Sequence, residues 1–332
     1  MSRHWLQISL MLTIGALFFS TTASAVTFGT GDIFASTGGG TVQVYDPTGV
    51  LLDTLNTGLG GFTTGSVTNV NTGNFYVTDF SAANVSEFSN TGALIGTFGS
   101  GYTATANPES ILFDGSGNVW VGQASAPADP HNVLEFNGAG APINSFAVAS
   151  QDRGSDWIDL GADQHTLYYT SEGNTILTYN TSTHTQGADI GTMTGAAAYA
   201  IRLLGDGTAL VADSATVDRI DLTTGAIVQT YVIPGSSGNL FALNLDPNGT
   251  DFWTGDSGNG DLWRVNIASG IVEQTIATGA AGNLFGVSVY GEITQSSTPE
   301  PGQLGTSLAL IGLLAFLGYR RSKLNAKAAE KA

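Results

Sequence analysis

A short apolar run that ends in a small or polar residue recurs six times along the chain. Phe75–Asp79 and Phe252–Asp256 are two clear examples, and the last residues of successive runs lie 42 to 48 residues apart. The six runs are 33–37, 75–79, 119–123, 167–171, 209–213 and 252–256. A repeat of this length is typical of chains built from stacked supersecondary units, each of which buries its apolar face against its neighbours.

Each run is followed by a second kind of strand, in which apolar and polar side chains alternate. Val217–Ile220 and Leu262–Val265 show this alternation, which buries one face of a strand and exposes the other. A tight turn comes next, then an outer strand, and then an inner apolar strand such as 240–244. Six units of four strands predict an all-β, six-bladed β-propeller.

The order of these elements predicts how the ring closes. The segment that starts at residue 26 begins with the second strand of the first blade, and the last repeat element is Leu284–Val289, which has the pattern of an innermost strand. We therefore expect this strand to complete the first blade and to leave no open sheet edge at the junction. The predicted propeller, 26–292, leaves no room for another domain.

Two blades carry the motif Asp-x-x-Gly-x-(aromatic or aliphatic)-x-Val-x-Asp most clearly, at 114–121 and 206–213. In these repeats the chain resembles the NHL and gluconolactonase-like group of six-bladed propellers. The resemblance covers the whole predicted propeller, but the matching residues belong to the scaffold. It therefore implies the fold and leaves the function open.

The first 25 residues have the pattern of a secretory signal. Arg3 precedes an apolar run, 8–19, and the segment closes on the small residues Ala23, Ser24 and Ala25. This pattern predicts a signal peptide, 1–25, that signal peptidase removes before Val26. A membrane anchor that stays attached is the alternative.

The C-terminal segment combines a short motif, an apolar stretch and a basic cluster, in that order. The residues of the motif and the cluster are Pro299, Glu300, Pro301, Arg320 and Arg321. The segment divides into a linker, 293–303, a transmembrane sorting helix, 304–319, and a basic cytoplasmic tail, 320–332.

This tail resembles the PEP-CTERM sorting signal of Gram-negative bacteria. The resemblance implies a transient attachment to the inner membrane, cleavage near the motif by an exosortase, and transfer to the cell surface or the extracellular matrix. The chain continues past the basic cluster to Ala332, further than the usual signal, which leaves open whether the tail is cleaved. A single-span tail anchor is the alternative.

The charge is concentrated in the predicted propeller. The whole chain has a formal net charge of −17 and no Cys, whereas residues 26–297 hold 25 acidic residues and four Arg, a net charge of −21. Such a surface argues against nucleic acid as a partner, because binding to phosphates needs clustered Lys and Arg. The absence of Cys removes thiolate nucleophiles and Cys-ligated zinc.

The predicted inner strands alternate between two phases. The phase that contains Tyr199, Phe241 and Phe285 is apolar and predicts packing between blades, whereas the opposite phase is small or polar and predicts the lining of the channel. The candidate ligand-channel residues of this polar phase are Asn69, Ser110, Asp159, Arg202 and Asn244. Arg202 is predicted to lie beside Asp159, where it either binds a ligand carboxylate or neutralises Asp159 and fills the channel.

The third blade carries the longest insertions. The first, 124–132, contains Asp129 and His131, and the second, 149–156, contains Asp152 and Arg153. Both connections leave a propeller at the same end, so we expect them to overhang the channel mouth near Arg202. Loops on a rigid ring are where binding concentrates, although long loops also occur without a function.

Few elements of a catalytic site are visible. No Ser-His-Asp arrangement can be assembled, and the His residues are not on predicted inner strands. Gluconolactonase-like propellers hold a divalent metal in the channel, and Asn69, Glu109, Asp159 and Asn244 have matching oxygens, but no motif agrees position by position. We expect no resident cofactor, with Ca²⁺ bound loosely at 256–261 as an alternative.

These features together predict an exported, surface-sorted propeller that acts as a non-catalytic binding module. Its expected partners are exopolysaccharide or other surface proteins, besides signal peptidase and exosortase during export. The alternative is a metal-dependent lactonase or hydrolase that uses the channel.

Overall fold

The computed structural model describes residues 26–102, 105–124 and 132–294, which form six antiparallel sheets of four strands each. Blade 1 consists, from the inside outwards, of β24 (Leu284–Val289), β1 (Ile33–Thr37), β2 (Thr41–Tyr45) and β3 (Leu51–Asn56). Blade 2 consists of β4 (Thr63–Thr68), β5 (Phe75–Asp79), β6 (Asn84–Phe88) and β7 (Leu94–Thr97). Blade 3 consists of β8 (Pro108–Phe113), β9 (Val119–Gln123), β10 (Val133–Phe136) and β11 (Pro142–Phe146).

The other three blades repeat this arrangement. Blade 4 consists of β12 (Ile158–Leu160), β13 (Thr166–Tyr169), β14 (Leu177–Asn180) and β15 (Thr185–Gln186). Blade 5 consists of β16 (Ile201–Leu203), β17 (Thr208–Asp213), β18 (Thr216–Asp221) and β19 (Ile227–Tyr231). Blade 6 consists of β20 (Leu240–Leu245), β21 (Asp251–Asp256), β22 (Asp261–Asn266) and β23 (Val272–Ala277).

The prediction of an all-β, six-bladed propeller is therefore confirmed. The six apolar runs coincide with the second strands of the six blades, apart from shifts of one or two residues at their ends. The described residues contain no helix, and hence none that is long and apolar enough to cross a membrane. The predicted signal peptide and the C-terminal sorting segment lie outside the described residues.

The ring closes as the order of elements predicts. β24, the last strand, pairs with β1, the first, and sets Val289 opposite Ile33 and Val287 opposite Ala35. Beyond the strands, the amide of Gly31 donates to the carbonyl of Tyr290 at 2.9 Å. Both ends of the described chain consequently leave the ring at the same face, where β24 ends.

The core of the propeller is divided among the interfaces between blades. Phe34 of blade 1 stacks on Phe75 of blade 2 with ring centroids 4.3 Å apart. Trp120, Trp253 and Trp263 are all buried, as their positions in the repeat predict. The alternating strands thus bury apolar side chains between neighbouring sheets, which fixes the blades around a common axis.

A β-bulge interrupts the beginning of four inner strands. In blade 6, Leu240 pairs with Asp256 and Ala242 with Gly255, which leaves Phe241 as the extra residue. The same shift occurs at Phe285 of blade 1 and at Glu109 of blade 3. In blade 2 the extra residue falls within Thr64–Gly65.

Backbone hydrogen bonds show the same irregularity in blades 4 and 5. The amide of Asp156 donates to the carbonyl of Thr170, whose own amide donates to the carbonyl of Trp157. Tyr199 and Ala200 make the equivalent pair of bonds to Ala212. A bulge re-aims the side chain of the extra residue out of the regular alternation. We call the first residues of the six bulges the mouth ring: Thr64, Glu109, Asp156, Tyr199, Phe241 and Phe285.

Candidate functional site

One half of the mouth ring is aromatic. The ring centroids of Tyr199 and Phe241 lie 4.6 Å apart, and those of Phe241 and Phe285 lie 6.0 Å apart. Phe62, on the connection into blade 2, extends this surface with a centroid 4.7 Å from that of Phe285. All four side chains keep some exposure to solvent, so they form an apolar wall that a ligand can reach.

The other half of the mouth ring is buried, and two of its three residues, Glu109 and Asp156, are acidic. Glu109 is 2% exposed and Asp156 is 1% exposed. Within the described part of the chain, Glu109 Oε2 and both carboxyl oxygens of Asp156 have no hydrogen-bond partner and are shut off from solvent. Because buried carboxyls are normally hydrogen-bonded, this pair marks an unsatisfied polar site at the mouth.

Arg153 stands above this acidic half. Its Nη1 donates to Glu172 Oε1 at 3.1 Å, and its Nε donates to the carbonyl of Ala124 at 3.4 Å. Its guanidinium carbon also lies 5.3 Å from the centroid of the Phe80 ring. Arg153 therefore links loops of blades 2, 3 and 4 across the mouth, and its charge is already paired with Glu172.

These groups enclose a mouth pocket of about 180 Å³. Its lining combines aromatic rings on one side with a carboxyl and an ion pair on the other. The lining residues are Phe62, Thr64, Phe80, Glu109, Arg153, Glu172, Phe241 and Phe285. Four of them, Thr64, Glu109, Phe241 and Phe285, belong to the mouth ring.

Burial controls the protonation of the mouth carboxyls. Burial raises the pKa of Glu109 to about 8, an effect that Arg153 opposes and Glu172 reinforces. Burial, with the charges of Glu109 and Glu172, also raises the pKa of Asp156 well above its usual value. The pKa of Glu172 is raised by burial too, although Arg153 counteracts this. At neutral pH the mouth therefore favours the neutral, proton-bearing form of Glu109, and the pKa of Asp156 is shifted in the same direction.

Towards the other end of the channel, side chains connect the inner strands to one another. Both carboxyl oxygens of Asp159 accept bonds of 2.9 Å, from the amides of Leu160 and of Leu203. Arg202 Nε donates to Asn244 Oδ1 at 3.1 Å, and Asn244 Nδ2 donates to the carbonyl of Val287 at 3.4 Å. These contacts form the base network, which joins blades 4, 5, 6 and 1.

A second cavity, of about 390 Å³, opens at the face where the described chain ends. Asn69 and Glu292 are among its lining residues. Glu292 Oε2 is shut off from solvent, and burial raises the pKa of this carboxyl to about 7 against the opposing charge of Arg202. Asn69 Oδ1 accepts a bond of 3.0 Å from the amide of Asn71, within its own turn.

Of the predicted channel residues, the structure brings Asp159, Arg202 and Asn244 together. Ser110 instead follows the bulge at Glu109, where it is 1% exposed and packs within blade 3. Asn69 lies at the exit cavity.

Among the predicted loop residues, Arg153 reaches the mouth pocket, whereas Asp152 is exposed on the loop beside it. The expectation that this loop lies near Arg202 does not match the contacts, because Arg153 belongs to the mouth and Arg202 to the base network. Asp129 and His131 lie outside the described residues, as do Pro299, Glu300, Pro301, Arg320 and Arg321.

The residues that matched a channel metal by oxygen type do not fit one. The oxygens of Asp159 and Asn244 are taken by backbone amides and by Arg202, a cation that opposes a second cation nearby. Glu109 belongs to the mouth pocket and Asn69 to the exit cavity. Across the described ranges, no group of three His, Asp or Glu side chains is placed to hold a metal ion.

Strict alternation missed the aromatic half of the mouth. It predicts Tyr199, Phe241 and Phe285 between the blades, but each begins a bulge and turns into the mouth instead. The signal that identifies them is a large residue followed by a small one at the beginning of an inner strand. Tyr199-Ala200, Phe241-Ala242 and Phe285-Gly286 all have this form.

Comparisons with known proteins support the architecture. A crystal structure of a nidogen–laminin complex contains a chain that matches with a TM-score of 0.60 and 13% identity, over 80% of this chain and 100% of the other. The WD40 β-propeller domain of Doa1 matches with a TM-score of 0.56 and 14% identity, over 83% and 92%. No family model and no curated protein matches the chain. At these identities the likeness shows the propeller fold alone.

Proposed function

We propose that the protein is an exported, non-catalytic binding module that is sorted to the cell surface or extracellular matrix. Its mouth pocket binds exopolysaccharide or another surface protein. The observation that carries the binding role is the mouth ring, where an aromatic wall faces buried carboxyls whose oxygens lack partners. Such a site offers stacking and hydrogen bonding to a polar ligand.

The two ends of the propeller suit display from a surface. Phe285 at the mouth and Tyr290 at the exit face are separated along β24 by five residues, a rise of about 17 Å. An anchor at the C-terminal segment would therefore hold the exit face towards the membrane and present the mouth pocket outwards. The resemblance of 299–321 to a PEP-CTERM signal supports this arrangement, and the signal-peptide pattern of 1–25 supports export.

The net charge of −21 over residues 26–297 also suits a surface protein. Repulsion between such acidic rings favours solubility, and it makes association sensitive to salt. One similar fold was solved in a complex of nidogen with laminin, so a propeller of this kind takes part in protein association there.

Cell fractionation tests the sorting. The full chain should appear on the cell surface with its N-terminus at Val26, whereas Pro301→Ala or truncation after Ser297 should mislocalise or release it. A Pro47→Ala variant, changed in an exposed turn of the propeller, serves as the matched control and should be displayed normally. Unchanged display of both C-terminal variants would contradict the proposal.

A further inference from the structure

When its carboxyls are ionised, the mouth pocket has a charge imbalance that its own residues do not resolve. Glu109, Asp156 and Glu172 then face a single guanidinium, that of Arg153, which is bonded to Glu172. Glu109 and Asp156 have no direct ion pair within the described part of the chain. In their ionised form they attract a further positive group and repel an anion.

The unpartnered oxygens indicate what that group must donate. Glu109 is one of the residues that line the pocket, although only 2% of its surface is exposed to solvent. Its Oε2 lacks a hydrogen-bond partner among the described residues. An ionised carboxyl is an acceptor only, so a ligand has to supply N–H or O–H donors. An ammonium supplies three donors and a positive charge on one nitrogen.

The opposite wall favours the same chemistry. Phe241 and Phe285 present aromatic surfaces to the pocket, and the faces of such rings attract cations. Phe80 shows the same preference within the protein, because the guanidinium of Arg153 lies over its ring. A ligand with a positive group next to an apolar surface would contact the Glu109 carboxyl and the rings of Phe241 and Phe285 at the same time.

The size of the pocket limits the ligand. Its volume of about 180 Å³ lies below the roughly 300–1,000 Å³ typical of pockets that enclose a whole small molecule. It fits a head group that projects from a larger chain that continues outside the mouth.

We propose that the mouth pocket binds an ammonium group, and that in an exopolysaccharide this group is the free amine of an amino sugar. The amine donates to Glu109, and the sugar ring packs against Phe241 and Phe285. This inference rests on the proposed function and names the ligand class of its site.

Binding of a cation favours the ionised form of Glu109, so the ligand and a proton compete. The groups that face Glu109 are Arg153, Glu172, Asp156 and the Tyr199 phenol, and of these only Arg153 is a cation. Because the pKa of free Glu109 is raised to about 8, affinity for a permanent cation should rise between pH 6 and pH 9. Protons should be released on binding near neutral pH.

Calorimetry on the purified full-length chain tests the ligand class. Glucosamine oligomers with free amines should bind at least tenfold more tightly than the same oligomers in N-acetylated form. Methylammonium, which keeps its charge and its N–H donors from pH 6 to pH 9, should bind more tightly at pH 9 than at pH 6. Equal affinity for both oligomers, or tighter binding of a lysine-rich peptide than of the amino-sugar oligomer, would overturn the assignment.

Two matched variants locate the site. Glu109→Gln should lower the affinity for the amino-sugar oligomer at least tenfold, and it replaces a mostly protonated carboxyl with a group of the same shape, so the ring should still fold. Glu273→Gln, which removes one charge from an exposed position on β23, should bind as the wild type does. Thermal unfolding checks that both variants are folded. Equal affinities of Glu109→Gln and wild type would overturn the site.

The outcome separates this inference from the function on which it rests. If the chain is displayed and retained by the native polysaccharide but Glu109→Gln binds normally, the ammonium site is wrong and the surface module stands. If amino-sugar binding depends on Glu109 but the chain is not exported, the proposed function fails and the site stands.

Discussion

The base network and the mouth pocket treat buried charge in opposite ways. In the base network, both oxygens of Asp159 accept backbone hydrogen bonds, and Arg202 donates to Asn244 and to the carbonyl of Ile201. In the mouth, Glu109 and Asp156 are equally buried but have carboxyl oxygens without described partners. Both ends lie on the same six inner strands.

The buried charges of the base network hold the ring together. Hydrogen bonds that run from blade 4 through blade 6 to blade 1 give Asp159, Arg202 and Asn244 a structural explanation that needs no ligand. The carboxyls of the mouth have no such explanation. A buried polar group left unsatisfied costs about 1–3 kcal/mol, so its retention at the mouth points to a ligand.

The largest effect on stability is expected from Gly286→Ala, which disrupts the bulge at Phe285. A Cβ at Gly286 would overlap the carbonyl oxygen of Thr64 in the next blade, and backbone cannot give way as a side chain does. We expect a loss of about 4 kcal/mol of stability, measured by thermal or urea unfolding. Gly205→Ala, at a glycine with no heavy atom within 4 Å, is the control and should change stability little. Equal stability of the two variants would contradict the packing described for the bulge.

The next largest effect is expected from Arg202→Ala, which breaks the base network. It leaves the buried carboxyl of Asp159 without its neighbouring cation and should destabilise the ring by about 3 kcal/mol. Arg219→Ala removes an Arg from a partly exposed ion pair with Asp206 and should cost less than about 1 kcal/mol. Below its melting temperature, Arg202→Ala should still bind the glucosamine oligomer. Loss of this binding in a folded Arg202→Ala protein would indicate that the ligand binds at the base network and not in the mouth pocket.

A third prediction concerns pH. A carboxyl whose pKa is raised by folding stabilises the native state fully below its unfolded pKa, and this contribution is lost as pH rises through the folded value. Glu109 has a usual pKa of 4.5 and a folded value of about 8, so stability should fall from pH 5 to pH 8, by up to about 1.4 kcal/mol per pH unit. Between pH 5 and pH 8, the unfolding temperature of Glu109→Gln should therefore fall less than that of the wild type.

Asp221→Asn provides the matched control for the pH profile. Hydrogen bonds from Thr224 lower the pKa of Asp221, so its contribution is present above pH 3.8 and is lost only in more acidic solution. Its profile between pH 5 and pH 8 should run parallel to that of the wild type. A Glu109→Gln profile that is also parallel would contradict the raised pKa of Glu109.

The smallest effects are expected from two Phe→Leu substitutions, which compare the role of aromatic rings in packing with their role in ligand binding. Phe241→Leu, at a half-buried position of the mouth, should cost about 1 kcal/mol of stability and reduce affinity for methylammonium about fivefold. Phe252→Leu, at a fully buried position in blade 6, should cost as much stability or more and leave affinity unchanged. Equal affinities of the two variants would show that the aromatic wall does not contribute to ligand binding.

The fold follows from the sequence because each blade repeats the same local signals. An apolar strand such as Phe75–Asp79, an alternating strand and a glycine turn recur six times, and each copy agrees with the same architecture. The closure of the ring follows from the order of the strands alone. Local preference and global fold coincide here, so the prediction needed no information on distant contacts.

The site follows only in part, because it depends on where alternation breaks. Period-2 alternation correctly sets Arg202 and Asn244 towards the channel but assigns Phe241 and Phe285 to the wrong surface. One inserted residue per inner strand reverses the phase, and hydrophobicity does not reveal the insertion. Likewise, the lack of a described partner for Glu109 Oε2 depends on contacts among three blades, which no local pattern encodes.

The decisive experiment is a crystal structure of the protein with a glucosamine oligomer bound. We expect an amine nitrogen within hydrogen-bond distance of the Glu109 carboxyl, and a sugar ring against Phe241 and Phe285. An oligomer bound at the Arg202 end of the channel or on the outer strands, with the mouth pocket free of it, would show that the mouth is not the binding site.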